Sequence, residues 1–172
     1  MDKISVFRDE NRWLSNFAYG PFWYKGVRFD NVEQAFQAEK FAHLSTAEAA
    51  KAIGAENMEK YHLSMSDNKL LFQYFAQLKA VEAKKASHLT QARPDWDTVK
   101  FDIMRKLVDL KFTSNPRLMA KLLSTGNAEL IEGNYWHDNT WGMCSCYRCR
   151  NIASKNMLGR ILMEVRAAHT PA

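Results

Sequence analysis

Three polar side chains, Glu33, Gln37 and Lys40, recur at helical spacing in the segment 32–41. On a helix that turns by about 100° per residue they lie within about 60° of one another, with Phe36 and Phe41 beside them. A carboxylate, an amide and an amine held between aromatic rings need polar partners, and a bound ligand can provide them. The alternative is a solvated face on which Glu and Lys improve solubility. The opposite side of this helix, predicted to face solvent, carries Ala35, Glu39, Ala42 and His43.

A second group of residues suited to chemistry lies in the stretch 134–142, which follows neither a helical nor a strand period. Trp136 and Trp141 can stack on a nucleobase, and Asp138 between them can stabilise developing positive charge or position a water molecule. The alternative is a loop whose tryptophans close the edge of the core. The stretch is therefore a candidate part of a binding site.

A third stretch, Trp13-Leu14-Ser15-Asn16-Phe17, precedes the first predicted strand. Serine and asparagine commonly satisfy backbone groups in turns. Asn16 beside an exposed aromatic ring can equally hydrogen-bond a sugar or a base. By itself this stretch does not distinguish the two interpretations.

All three cysteines of the chain, Cys144, Cys146 and Cys149, lie within six residues. Structural zinc requires four ligands in a tetrahedron, and His137 is the nearest candidate for the fourth. Zinc sites usually take their ligands from two separated knuckles, so a structural zinc and a metal-free loop both stay open. We predict no other cofactor.

The composition indicates a globular protein with a basic surface. The 172 residues carry a net charge of +5 and give a pI of about 9.1, which suits an anionic ligand such as a phosphate ester or a nucleic acid. No apolar run approaches the ~20 residues of a membrane span, and no signal peptide is recognisable. We therefore expect a cytoplasmic protein that does not contact membranes. No particular oligomeric state is predicted.

Common enzyme motifs are missing from the sequence. It contains no P-loop, no G-x-G-x-x-G, no His-Glu-x-x-His and no G-x-S-x-G. These absences argue against the common kinase, dehydrogenase, metalloprotease and hydrolase classes.

Local patterns predict a single α+β domain over residues 1–172, predominantly helical, with a small β-hairpin near its N-terminus. The hairpin joins residues 22–24 and 27–29 through Lys25-Gly26. A capping box at Ser45 begins a helix that ends at Gly54. Further helices are predicted at 56–62, at 67–86 with Ser66 as its cap, after Asp95, at 116–126, and from Ser154 to about 168, and a short strand at 130–131.

Several stretches form an ordered pattern along nearly the whole chain. They include Leu14-Ser15-Asn16-Phe17, Val32-Glu33-x-Ala35-Phe36-Gln37-Ala38-x-Lys40-Phe41, Arg93-Pro94-Asp95-Trp96-Asp97, Leu130-Ile131-Glu132, Trp136-x-Asp138-x-x-Trp141-Gly142 and Asn156-x-Leu158-Gly159-Arg160. In this order they resemble the NADAR (YbiA-like) family. The cysteine-bearing segment after Gly142 stands where that family usually has small residues.

The resemblance implies an N-glycosidase that hydrolyses a bond between ribose C1 and nitrogen. It suggests two substrates: ADP-ribose linked to guanine in nucleic acid, which we favour, and phosphorylated ribosylamino-pyrimidine intermediates of riboflavin synthesis. The partners would be ADP-ribose or a phosphorylated riboside, with nucleic acid as the carrier of the adduct. A non-catalytic ADP-ribose-binding module and a zinc-stabilised nucleic-acid-binding protein are the competing interpretations.

The resemblance and the spacing together assign expected roles. Glu33 would be the acid–base group, and Asp138 would stabilise the oxocarbenium-like state. Lys40 would hold a phosphate, orient Glu33, or attack ring-opened C1 as a Schiff-base amine. The free N–H groups of the last helix, near Asn156, would receive a phosphate. Substrate contacts are expected from Ser15, Asn16, Phe17, Gln37, Trp141, Gly142 and Asn156.

Overall fold

One short helix, α1 (Val32–Glu39), is at the centre of the core in the computed structural model, which describes residues 2–171. Met1 and Ala172, the two ends of the predicted domain, lie outside the described residues. All eight residues of α1 are buried, because α4 (Leu70–Gln77), α5 (Ala80–Lys85) and α6 (Trp96–Thr113) all pack against it.

The prediction of a solvent face on this helix was wrong. Ala35 and Glu39 are 0% and 1% exposed, since neighbouring helices and the hairpin cover the side where they lie. Ala42 and His43 lie beyond the last helical residue. The periodicity identified the helix. It did not show how many faces of the helix are buried, because residues distant in sequence cover those faces.

Helix α1 begins at a capping box. The Asn31 side chain accepts a hydrogen bond from the Gln34 backbone, and the Gln34 side chain accepts one from the backbone of Asn31. The Gln34 amide also donates to the carbonyls of Ala76 and Leu78, at 3.1 and 2.6 Å. One glutamine therefore caps α1 and satisfies carbonyls at the end of α4.

The predicted long helix 67–86 is two helices, α4 and α5. The chain is extended at Leu78 and Lys79, and the N-cap of α4 is Lys69 instead of Ser66. The break is stable because Gln34 takes up the carbonyls that the interrupted helix leaves free. The remaining helices are α2 (Thr46–Ile53), α3 (Ala55–Lys60), α7 (Pro116–Ser124) and α8 (Met157–His169), with short 3-10 helices at Asp9–Leu14, Ala86–His88 and Tyr147–Cys149.

Within residues 2–171, three pairs of short strands complete the fold. The predicted hairpin is confirmed as β2 (Phe22–Tyr24) antiparallel to β3 (Val27–Phe29). Its turn residues, Lys25 and Gly26, both have positive φ, as a tight two-residue hairpin turn requires. The other pairs are parallel: β1 (Lys3–Ile4) with β4 (Glu129–Leu130), and β5 (Gly133–Asn134) with β6 (Met143–Cys144).

The predicted start of the last helix was wrong by a few residues. Its N-cap is Asn156, in the left-handed region with φ 47°, whereas the Ser154 hydroxyl donates to Asn139 at 2.7 Å. The architecture is a predominantly helical α+β fold, as predicted. Among residues 2–171, no helix combines the length and the apolar character needed to cross a membrane.

Candidate active site

Residues from five separate parts of the chain meet around a cavity of about 350 Å³. The residues singled out in the sequence that line it are Asn16, Phe17, Glu33, Trp136, Asp138 and Trp141, and the structure adds Phe36, Lys84, Met104 and Glu132. The cavity thus has three carboxyl groups and one amine between aromatic walls.

Glu33 is the most deeply buried of the carboxyl groups, with 4% of its surface exposed. Its Oε1 accepts a hydrogen bond from Gln37 Nε2 at 2.8 Å and lies 3.7 Å from Lys84 Nζ. Burial raises the pKa of Glu33, and Lys84 and Gln37 lower it in part. A carboxyl group with a raised pKa keeps its proton to higher pH than a free one and is therefore suited to donate it to a leaving group.

Lys84 is a site residue that sequence reasoning missed. It lies on α5, more than 40 positions from Glu33, and its Nζ reaches the Glu33 carboxyl from the cavity side. Lys84 and Lys85 are adjacent, and nothing in the local sequence distinguishes Lys84 as the site residue. The break between α4 and α5 sets the direction of α5, so this contact depends on tertiary structure.

Gln37 lies behind Glu33 and outside the cavity lining. It is 2% exposed, and its Oε1 is the one buried side-chain oxygen or nitrogen in residues 2–171 that lacks a hydrogen-bond partner. Its amide group holds the Glu33 carboxyl at 2.8 Å. The structure therefore gives Gln37 a positioning contact, while its expected contact with ribose stays a prediction.

Glu132 is the second residue that the sequence did not identify as part of the site. Burial, Asp138 and Glu33 together raise the pKa of Glu132 to about 7. Its backbone is fixed at both ends, because its N–H donates to Asn156 and its carbonyl accepts from Met143. No local pattern marked Glu132, because its burial depends on the tertiary structure.

Asp138 is held in one orientation by its own loop. Its Oδ1 accepts hydrogen bonds from the backbone N–H groups of Thr140 and Trp141, at 3.0 and 2.8 Å. The Asn134 side chain bonds both its N–H and its carbonyl. These bonds fix a carboxylate at the cavity wall without using its Oδ2.

Aromatic rings form the walls and the mouth of the cavity. Trp141 packs against Phe36 and Phe101, with ring centroids 5.3 Å apart in both pairs. Phe17 and Trp136 are 37% and 59% exposed. Both of them, with Glu132, also line a second cavity of about 200 Å³ that includes Ser15 and Arg8. The two cavities therefore share a wall that is open to solvent.

The loop 13–17 is fixed to the protein interior by Lys111. Its Nζ donates to the carbonyls of Trp13 and Ser15, at 2.7 and 2.9 Å, and its side chain is 1% exposed. Burial lowers the pKa of Lys111 to about 7. The Asn16 carbonyl in the same loop accepts from the Glu33 N–H at 3.1 Å, which joins this loop to α1.

Lys40 is near the cavity but does not line it. Its Nζ donates to the Ser87 carbonyl at 2.9 Å. Burial and then the charge of Lys84 lower the pKa of Lys40, against an opposing effect of Glu33. Its catalytic and phosphate-binding roles stay predictions.

Gly142 and Asn156 support the site from outside the cavity lining. A Cβ on Gly142 would lie 2.2 Å from the Glu132 carbonyl oxygen, so only glycine fits there. The Asn156 side chain bonds Leu130 and Glu132. The expectation of free N–H groups at this helix start was wrong for residues 157 and 158, whose N–H groups donate to carbonyls at 140 and 141.

Near this cavity, the exposed His137 comes together with three cysteines, of which one is half-buried and two are buried. The cysteines are Cys144, Cys146 and Cys149, and all three are free thiols. The predicted fourth ligand therefore lies with the three cysteines in space.

Comparison with known proteins shows the family of this chain. The family model described as the NADAR domain matches residues 5–168. The N-glycosidase YbiA of Escherichia coli is 29% identical over 157 residues, covering 89% of this chain and 78% of its own length. Its NMR structure superposes with a TM-score of 0.67 at 25% identity, over 98% of this chain and 86% of that one.

Two other relatives are matched over only part of their length. The N-glycosidase R617 of Acanthamoeba polyphaga mimivirus is 40% identical over 77 residues, which is 41% of this chain and 45% of the viral protein. The chloroplastic riboflavin biosynthesis protein PYRR of Zea mays is 29% identical over 136 residues, covering 79% of this chain and 19% of its own length. The chain therefore spans less than half of either relative. Because the NADAR model covers almost all of its sequence, the chain belongs to the NADAR domain family.

Proposed function

We propose that this protein is an N-glycosidase that hydrolyses the bond between ribose C1 and a nitrogen atom. The observation that carries the proposal is the convergence of Glu33, Glu132 and Asp138 on one aromatic-walled cavity. The names of the YbiA and R617 relatives agree with this activity.

The arrangement matches the electrostatic demands of the reaction. Breaking the bond builds positive charge at C1 and the ring oxygen, while the departing nitrogen requires a proton. Glu33, with its raised pKa, supplies that proton, and the fixed Asp138 carboxylate stabilises the oxocarbenium-like state. Water then adds to C1, and a carboxylate accepts its proton. The charge of Lys84 lowers the pKa of Glu33 and so opposes the effect of burial.

The favoured substrate is ADP-ribose attached to guanine in nucleic acid. The inner cavity has room for the ribose, and the shared wall leads to a second cavity of about 200 Å³ beside Arg8. The Arg8 guanidinium lies 5.6 Å from the ring centroid of the exposed Trp136. A cation beside a flat, exposed aromatic ring is suited to a phosphate next to a stacked base.

A second candidate substrate is a phosphorylated ribosylamino-pyrimidine of riboflavin synthesis. The names of the maize relative and of the Arabidopsis thaliana protein PYRR, 31% identical over 133 residues, favour it. The reaction at C1 would be the same. The two substrates differ in what must fit beside the ribose.

The test is mass spectrometry of a short DNA carrying one ADP-ribosylated guanine, incubated with the full chain. We expect free ADP-ribose and restored guanine. An unchanged adduct together with cleavage of the ribosylamino-pyrimidine phosphate would assign the second substrate. Hydrolysis of neither compound would overturn the proposal, and retention of the intact adduct would then support a binding module.

Glu33→Gln is the variant that separates catalysis from binding. We expect it to lower kcat by about 10²- to 10⁴-fold while the adduct still binds. The matched control is Glu56→Gln, an exposed glutamate of α3 that does not line the cavity. Full activity of a folded Glu33→Gln protein would contradict the acid–base role.

A further inference from the structure

Four potential metal ligands converge beside the candidate active site. The donor atoms of His137, Cys144, Cys146 and Cys149 all lie within 4.8 Å of one another. His137 Nδ1 is 3.3 Å from both Cys146 Sγ and Cys149 Sγ. The N-glycosidase reaction uses none of these groups.

These distances fit a tetrahedral ion. With Zn–S and Zn–N bonds of about 2.3 and 2.0 Å, neighbouring ligand atoms are separated by about 3.5–3.8 Å. The two observed N···S distances of 3.3 Å are close to this separation. Three thiolates and one imidazole are also a donor set that selects zinc over harder cations such as magnesium.

The backbone around the cluster is shaped for this convergence. His137 has a φ of 68°, a left-handed conformation that is unfavourable for a residue with a side chain. Asn139 Oδ1 accepts from the Cys144 N–H at 3.1 Å and from Ser154. In metal sites, neighbouring hydrogen bonds of this kind orient the residues that bind the metal.

We propose that His137, Cys144, Cys146 and Cys149 bind one structural zinc ion. The ion would join the stretch 134–142 to the segment 144–149 and so hold the loop that carries Trp136 and Asp138. With all four protein ligands present, the site is closed, as structural zinc sites are. Its existence does not depend on which riboside the enzyme cleaves.

The first test is metal analysis of the full chain, purified under reducing conditions from zinc-supplemented medium and dialysed against metal-free buffer. We expect about one zinc per chain by mass spectrometry. Cobalt in place of zinc should produce thiolate-to-cobalt charge transfer and tetrahedral ligand-field absorption. A strong chelator should lower the melting temperature by about 5 °C or more.

Two variants and a control distinguish the site from incidental binding. Cys146→Ser and His137→Ala change the less buried ligands, so both proteins should fold and lose the stoichiometric zinc and the cobalt spectrum. His43→Ala, an exposed histidine elsewhere, should keep both.

Three results would overturn the proposal. One is a protein that holds no zinc even after zinc is added in reducing buffer. Another is iron in place of zinc in the purified protein. The third is a pair of folded variants that retain the full zinc content.

Discussion

At the residue scale, opposing influences set the protonation of Glu33. Burial raises the pKa of Glu33, and the charge of Lys84 and the hydrogen bond from Gln37 lower it. Lys84 also lowers the pKa of Lys40. A single cation thus lowers the pKa values of both Glu33 and Lys40.

Lys84→Met should therefore move both limbs of the pH–rate profile toward higher pH. Removing the positive charge takes away an effect that lowers both pKa values. Because Lys84 is partly exposed, we expect each limb to move by less than about one pH unit. The measurement is kcat/KM from pH 4 to 10, at pH intervals much smaller than the expected shift.

Lys85→Met is the matched control for this change, because Lys85 is the next residue on the same helix and does not line the site cavity. Its profile should follow that of the unchanged protein. Equal profiles for the two variants would show that Lys84 does not affect the pKa values that determine the pH–rate profile.

Lys40→Arg tests the covalent role of Lys40. Burial lowers the pKa of Lys40, which favours the neutral amine that attacks a carbonyl carbon. Arginine keeps the charge but cannot form a Schiff base. Attack of the Lys40 amine on C1 predicts a loss of at least about 100-fold in kcat for the variant, and a borohydride-trapped adduct only with the unchanged protein. Direct addition of water to C1, as proposed above, predicts no trapped adduct with either protein. A variant with full activity would restrict Lys40 to an electrostatic role.

At the element scale, the loop 13–17 is positioned by α6 through one buried amine. Lys111 Nζ supports the carbonyls of Trp13 and Ser15, and the Asn16 carbonyl receives the Glu33 N–H. The loop has no strand or helix ladder of its own beyond the preceding 3-10 helix. Its placement at the cavity consequently depends on these few bonds.

Lys111→Met should lower the free energy of unfolding by about 2–4 kcal/mol, because two carbonyls lose their donor while the side-chain volume is nearly kept. The measurement is urea unfolding at pH 7. Lys121→Met, at an exposed position of α7, is the control and should change stability by less than about 0.5 kcal/mol. Comparable losses in the two variants would show that the Lys111 bonds contribute little.

At the scale of the whole molecule, buried titratable groups make stability depend on pH. Glu132 has its pKa raised to about 7, so the unfolded chain ionises this group first and stability falls as pH rises from about 4.5 to 7. Lys111 has its pKa lowered to about 7, so below that pH the folded protein holds a buried charge. Because of Lys111, the free energy of unfolding therefore increases as pH rises from about 7 to 10.5.

Glu132→Gln should remove the first of these effects. Relative to the unchanged protein, the variant should gain about 1–3 kcal/mol at pH 8 and little at pH 4. Urea unfolding of both proteins at the two pH values measures the difference. A gain that is the same at both pH values would assign it to packing instead of ionisation.

The sequence by itself determined the features that depend on neighbouring residues. The capping box at Ser45, the Lys25-Gly26 turn and the helical spacing of Glu33 and Gln37 are local, and all are present in the structure. The ordered family motifs were also readable without coordinates, and the family model confirms them.

Only the tertiary structure decided which polar groups share one buried space. Lys84, Glu132 and Lys111 had no local signal, because their roles follow from contacts across 50 or more positions or from burial. The same cause explains the buried Glu39, which α1 periodicity assigned to solvent. Spacing along a helix fixes the direction of a side chain, whereas desolvation and pairing depend on whatever the rest of the chain packs against it.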